Sequence, residues 1–214
     1  MNFTISVETY LRLAALPSRF TSKSVTEDEK KILRCVRLEN KNGNAFAIST
    51  NRRIAAVYFL GATDQPDGAV HVTIDKRLID QCETEKSFNS QLFVTTIPML
   101  NAVSLKTTLG YVFPETGGFF TEETPMKLWR TWVPKQEPAA SSGAMKWTLS
   151  DMFAINASSP SGEIVFPEFI DANQPVIIRD FKVDNWIAMF MANMMEDGKV
   201  ILAEPAVLPA WWNA

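Results

Sequence analysis

The stretch "AFAISTNRRIAAVYFLG", residues 45–61, decides the fold. Its first half alternates apolar and polar residues as a strand does, and its second half is an apolar run. "TNRR" lies between them, so two full positive charges sit at the bend of a strand pair. Just upstream, "NKNGN" carries Asn42-Gly43, a dipeptide whose two residues readily adopt the positive φ angles of a two-residue hairpin turn. The segment "ILRCVRLE" before it, with Ile32, Cys35 and Leu38 among charges, reads as a third strand. The local order is therefore strand, hairpin, strand, bend, strand.

Working outward, "NFTISV" starts the chain as a strand. "ETYLRLAALPSRF" spaces Tyr10, Leu11, Ala14 and Ala15 as a helix does, up to Pro17. The polar run "TSKSVTEDEKK" reads as a loop. The order strand, helix, three strands then recurs. "AVHVTI" is followed by the helix "DKRLIDQCE", with Asp75 as its N-cap, and by "QLFVTTI", "NAVSLKT" and "LGYVFPE". A Pro/Ser/Ala-rich stretch near residue 140, "PKQEPAASSGA", marks a boundary. Beyond it "MKWT", the helix "LSDMFAINAS" and the strands "EIVFPEF", "PVIIRDF" and "NWIAMFMAN" repeat the pattern a third time. The fold class read from this is α+β, with about three βαβββ units over 1–61, 68–115 and 145–195, antiparallel sheets and helices on one side. The expected domains are 1–120 (two units), a linker 121–144, a single unit 145–195 and a tail 196–214.

Composition bounds the function. The chain is 46% hydrophobic and 21% charged, which is ordinary for a globular protein. Its net charge of -3 argues against a wholesale nucleic-acid coat. Cys35 and Cys82 are too few for a disulfide framework, and the N-terminus lacks a basic and apolar leader. No apolar run nears the length that spans a bilayer, about 20 residues. A cytoplasmic protein is expected. The lone histidine, His71, has no Cys/His companions, so neither metal nor cofactor is expected. "TEDE" at 26–29 reads as a solvated loop rather than a metal site. Phosphate-binding glycine patterns and hydrolase signatures are missing, and "ETGGFF" has no following helix and Lys. An enzyme is not expected.

Three segments carry a family resemblance. "STNRRIA" at 49–55 resembles a shortened form of the Ala-Thr-Asp-Gly-His-Arg-Leu-Ala segment of bacterial DNA sliding clamps, the β subunit of the replicative polymerase. Asn51 stands where that pattern has Asp, and one residue of its Gly-His pair is lost. "KLWRTWVPK" at 127–135 is similar to the family's Phe-Pro-Asp-Tyr-Arg-Arg-Val-Leu-Pro, and "IAMFM" at 187–191 to its closing Val-Val-Met-Pro-Met. They occur in the family's order on a βαβββ background, over residues 1–195.

The resemblance implies a DNA-clamp-like fold and a processivity role in DNA replication, with a phage or mobile element as the source. It implies a surface pocket for short peptides of a polymerase or other replication proteins. Carried over, that pocket involves Leu33, Thr50, Arg52, Arg53, Ile54, Trp132, Ile187 and Met189, with Trp132 narrowing or closing the slot. Double-stranded DNA would pass helices carrying Arg12, Arg19, Lys76, Arg77 and Lys146, a sparse basic set with Glu8, Asp75, Asp80 and Asp151 among it. A ring of about twelve units requires about four chains, hence a homo-oligomer. The alternative is an interaction module that keeps the fold without the ring and binds or competes for replication-protein peptides. The tail "AVLPAWW" suits docking of that kind, as it also suits packing back on the domain. Against both stand plainer readings: paired arginines as a solvated turn, Met189 and Met191 as core.

Overall fold

The computed structural model describes residues 1–17, 33–51, 54–113, 118–119, 144–145, 149–162, 167–168, 176–180, 182–190 and 194–195. Strand β1 (Asn2–Ser6) leads into helix α1 (Val7–Ala15), then β2 (Cys35–Lys41), β3 (Asn44–Thr50) and β4 (Ile54–Ala62). The order repeats as β5 (Gly68–Thr73), α2 (Lys76–Glu85), β6 (Gln91–Ile97), β7 (Ala102–Thr107) and β8 (Val112–Phe113). After β9 (Gly118–Phe119) come β10 (Ala144–Met145), α3 (Leu149–Ser158), β11 (Pro167–Glu168), β12 (Val176–Arg179), β13 (Trp186–Phe190) and β14 (Met194–Met195). The fold is mixed α+β with antiparallel sheets, as the pattern of the sequence predicts.

Local chemistry sets these elements. Ser6 caps α1 by accepting from the Thr9 N–H at 3.0 Å, and Val7, Tyr10, Leu13 and Ala14 form its buried stripe. Asp75 caps α2 by accepting from the Arg77 N–H at 2.8 Å, above a buried face of Leu78, Cys82 and Glu85. The β2–β3 hairpin turns on Asn42 and Gly43, whose φ angles are both positive, at 52 and 74 degrees. Both lie in the left-handed region, as the sequence predicts.

The pairing of the first two units has a two-fold character. One sheet runs β1-β6-β7-β8, and the other contains β4-β3-β2-β5, so each unit lends its first strand to the other's sheet. Tyr10, Leu13, Val36, Val72, Leu78, Val94 and Leu105 pack between the two sheets and the helices. The second sheet does not stop at β4. It reads β11-β12-β13-β4-β3-β2-β5-β9, eight strands, because β13 pairs antiparallel with β4 from Trp186–Tyr58 to Phe190–Ile54.

One row of side chains crosses this sheet: His71 opposite Arg37, Arg37 opposite Ile48, Ile48 opposite Val57, Val57 opposite Ile187 and Ile187 opposite Arg179. Arg37 and Glu39, which a charged strand would hold in solvent, are buried and paired at 2.9 Å, with Arg37 Nη1 3.4 Å from His71 Nε2. A buried charge pair has to be satisfied in this way, because an isolated buried charge is far costlier.

Polar contacts lock the third unit to the first. Tyr58 donates its hydroxyl to the Ser158 carbonyl (2.7 Å), and Arg12 Nη1 donates to the Ser159 carbonyl (2.6 Å). Asp180, at the end of β12, accepts from the Ser159 hydroxyl and from the N–H groups of Ser161 (2.8 Å) and Lys182 (2.9 Å). Burial pushes the Asp180 carboxyl up, but these hydrogen bonds outweigh it and hold the group below the ordinary carboxylate range. A depressed folded pKa gives stability that is present above the unfolded value of about 4 and lost as pH falls through the folded one. Asp180→Asn is therefore expected to cost ~1–3 kcal/mol at neutral pH, with the gap to wild type closing in acid. Urea titrations at neutral pH and near pH 3 check this; a gap that persists unchanged in acid refutes the linkage.

Candidate functional site

The site starts at the bend between β3 and β4. The Thr50 hydroxyl donates to the Ile54 carbonyl (2.7 Å), the Asn51 N–H donates to the same carbonyl (3.1 Å), and the Ile54 N–H donates back to Asn51 Oδ1 (2.9 Å). The Asn51 side chain thus closes the bend around the two arginines, satisfying a buried backbone donor. Arg52 and Arg53 themselves lie outside the described residues, as do Trp132, Arg19 and Lys146. The same holds for "TEDE", the linker 121–144 but for its last residue, Ala144 of β10, and the tail 196–214.

Period-two alternation then sorts the candidate pocket residues. Ile54 faces the main core with Ala56, Tyr58, Ala188 and Phe190. Ile187 and Met189 face the other way, into a second apolar cluster with Phe46, Ile48, Ala55, Val57 and Ile177, bordered by Phe59. The register places Ile187 opposite Val57 and Met189 opposite Ala55, while Ile54 is opposite Phe190. Leu33 is buried at the entry to β2 and belongs to neither cluster. The structure therefore brings Thr50, Ile54, Ile187 and Met189 to one strand junction but divides them between its two faces. Ile187 and Met189 are 0% exposed, so the apolar face is closed in this state. Phe46, Ile48, Val57 and Ile177 complete that face, and the reading of the sequence does not single them out. A signal exists for two of them: the alternation of "AFAIST" marks Phe46 and Ile48 as sharing one side.

The helix surfaces make a second candidate site. Helix α1 carries one acid and one base, α2 two bases against three acids, and α3 one acid, Asp151. Each described basic candidate has a carboxylate beside it: Arg12 with Glu8 at 2.8 Å, Lys76 with Asp80 at 3.8 Å and Arg77 with Asp75 at 3.1 Å. Hydrogen bonds from the Arg77 side chain and backbone lower the Asp75 carboxyl, so the pair is charged at neutral pH. Among the described residues no groups of three or more His, Cys, Asp or Glu could hold a metal ion, and no helix is long and apolar enough to cross a membrane.

No protein-family model matches the sequence, and no curated protein does. Solved structures do match. A DNA polymerase III beta subunit from Eubacterium rectale superposes with a TM-score of 0.57 at 9% identity, over 90% of this chain and 65% of that one. The beta subunit from Pseudomonas aeruginosa gives 0.58 at 13% identity, over 90% of this chain and 66% of that one. A Bartonella birtlesii sliding clamp bound to griselimycin gives 0.53 at 11% identity, over 100% of this chain and 67% of that one. The fold is that of the DNA polymerase III beta sliding clamps, and the chain spans about two thirds of the length of those subunits.

Asn51→Ala removes the acceptor of the buried Ile54 N–H and is expected to cost ~1–3 kcal/mol, whereas Asn51→Asp keeps the acceptor and most of the stability. Chemical denaturation of both variants checks this, and equal losses would show that the side-chain oxygen does not close the bend.

Proposed function

We propose that this chain is a sliding-clamp-like accessory protein of DNA replication that works as a ring of several copies. The observation that carries the reading is the β4–β13 junction, which joins the first and third βαβββ units into one continuous sheet within a clamp fold. On this reading the chain divides as 1–120, 121–144, 145–195 and 196–214, acts in the cytoplasm, comes from a phage or mobile element and performs no catalysis. Its retention on DNA is topological. With helices that carry no basic stripe, it encircles the duplex without making many phosphate contacts.

That division of labour is measurable. Light scattering is expected to give a mass several times 24.0 kDa. Retention on circular duplex is expected to vanish on linearisation, yet to change by less than about tenfold between 50 and 200 mM salt, where a protein making 6–10 phosphate contacts loses about 10³–10⁵. A monomer with no dependence on DNA topology overturns the ring.

Replication-protein peptides are proposed to bind at the β4–β13 junction; of the candidates Leu33, Thr50, Arg52, Arg53, Ile54, Trp132, Ile187 and Met189, the pair Ile187 and Met189 shares the second face, while Ile54 turns to the main core. Apolar anchors would enter beside Ile187 and Met189, with the arginine stems along the wall. Because that face is closed, binding has to open it, and the apparent affinity falls by the fraction of open molecules. Arg53→Ala is expected to weaken a Leu/Phe-anchored peptide by about tenfold in a fluorescence titration, and an unchanged affinity rejects the pocket.

A second reading, an interaction module with the clamp fold and no ring, is favoured by the carboxylate partners of Arg12, Lys76 and Arg77. It predicts peptide binding by a monomer.

A further inference from the structure

The eight-stranded sheet is buried on both faces, but only one face has a second layer among the described residues. On that side α1, α2 and α3 bring Leu13, Leu78 and Ile155 into the main core. The second cluster draws all its members from β3, β4, β12 and β13, four neighbouring strands of one sheet. Ile48, Val57, Ile177, Ile187 and Met189 are nevertheless 0% exposed. Side chains on one face of a sheet stand roughly perpendicular to it and cannot screen their own tips, so a further layer lies across them.

The face dictates the chemistry of that layer. Its members are all apolar, so a charge laid over them without a partner is costly. Three long stretches of the chain lie outside the described residues: 18–32, 120–143 and 196–214. The first holds seven charged residues and the second six. In the third, "VILAEPAVLPAWWNA" at 200–214 holds one, Glu204, among Ile201, Leu202, Leu208, Trp211 and Trp212. Its place in the chain agrees, since it follows closely on β13 (Trp186–Phe190) and β14 (Met194–Met195). Four strands about 4.8 Å apart are about 15 Å across, and fifteen extended residues reach about 50 Å. Pro205 and Pro209 have no N–H to give a ladder, which suits a segment lying over side chains rather than one adding a strand.

We infer that residues 200–214 cover the β12-β13-β4-β3 face of their own chain, with Trp211 and Trp212 as anchors, and that a replication-protein peptide has to displace them. The cover stands on the burial of the face alone; the competition rests on the proposed peptide site. The segment carries the same kind of apolar and aromatic anchor that such a peptide would insert. Being tethered, it competes at an effective concentration on the order of millimolar, and so sets the fraction of open molecules.

The test places a thiol on the closed face. Ala55→Cys lies opposite Met189, and the native Cys35 and Cys82 are 0% exposed and react slowly. In the full chain, labelling of this thiol by a small disulfide reagent is expected to speed up at least about tenfold when Trp211→Asp and Trp212→Asp are added, with an unchanged circular-dichroism spectrum. A synthetic peptide of residues 200–214 is expected to restore protection. Leu208→Asp repeats the test should the double variant lose its fold, and binding of an apolar-surface dye to the chain with native Ala55 repeats it should the new thiol disturb the packing. Labelling and dye binding that stay at the wild-type level show that another segment or a second copy covers the face, and overturn the inference. A face that opens as expected, yet binds a Leu/Phe-anchored peptide no more tightly, upholds the cover and overturns the peptide site alone.

Discussion

The antiparallel pairing of β13 with β4 is the constraint on which the rest of the structure depends. A strand with neighbours on both sides, in a sheet buried on both faces, can carry a polar side chain only where a buried partner satisfies it, and β4 has few such partners. That is why "IAAVYFL" stays apolar where an edge strand would alternate. Ala55 and Ala56 are small on opposite faces, and Met189 and Ala188 meet them from β13. The junction also dictates its own anchors. Tyr58, one residue beyond Val57, reaches the Ser158 carbonyl, and its burial pushes the phenol far above its ordinary pKa, so it remains a donor at any working pH.

Among the described residues, several charges are committed to architecture. Arg37 and Glu39 satisfy each other inside the sheet, and Arg12 divides its guanidinium between Glu8 and the backbone of Ser159. The exposed pairs differ in kind. Surface pairs such as Lys76 with Asp80 and Arg77 with Asp75 contribute little and exchange readily with other partners. Along α2 the acids beside the bases keep the helix surface from building a positive field.

The sequence carries the repeat because the repeat is written in local terms. The Asn42-Gly43 turn, the Asp75 cap, the span of α3 and the limits of β6 all follow from residues within a few positions of one another. What is not legible depends on partners far along the chain. Nothing near Arg37 announces that His71 will lie beside its buried pair with Glu39, and nothing near Glu85 announces that Thr107 will donate to its carboxylate in the core. The candidate site divides the same way. The nearness of "TNRRIA" to "IAMFM" follows from the family pattern, but the face on which each side chain falls is fixed by one residue of register. With Ile54 opposite Phe190 and Ala55 opposite Met189, the pocket candidates part to opposite sides of one sheet.

The hydrogen bonding of the β3–β4 bend bears on this division. A bend closed by Asn51 holds Thr50 opposite Ala55, and that register carries through Ala55 to Met189 and on to Ile177. A longer bend could tolerate a slip; one closed by its own side-chain hydrogen bond cannot, because a one-residue shift would turn Val57 and Ala56 to each other's faces. The bend therefore fixes which face of the junction is apolar and closed. A ligand reaching Ile187 or Met189 would have to open that face rather than reshape the bend.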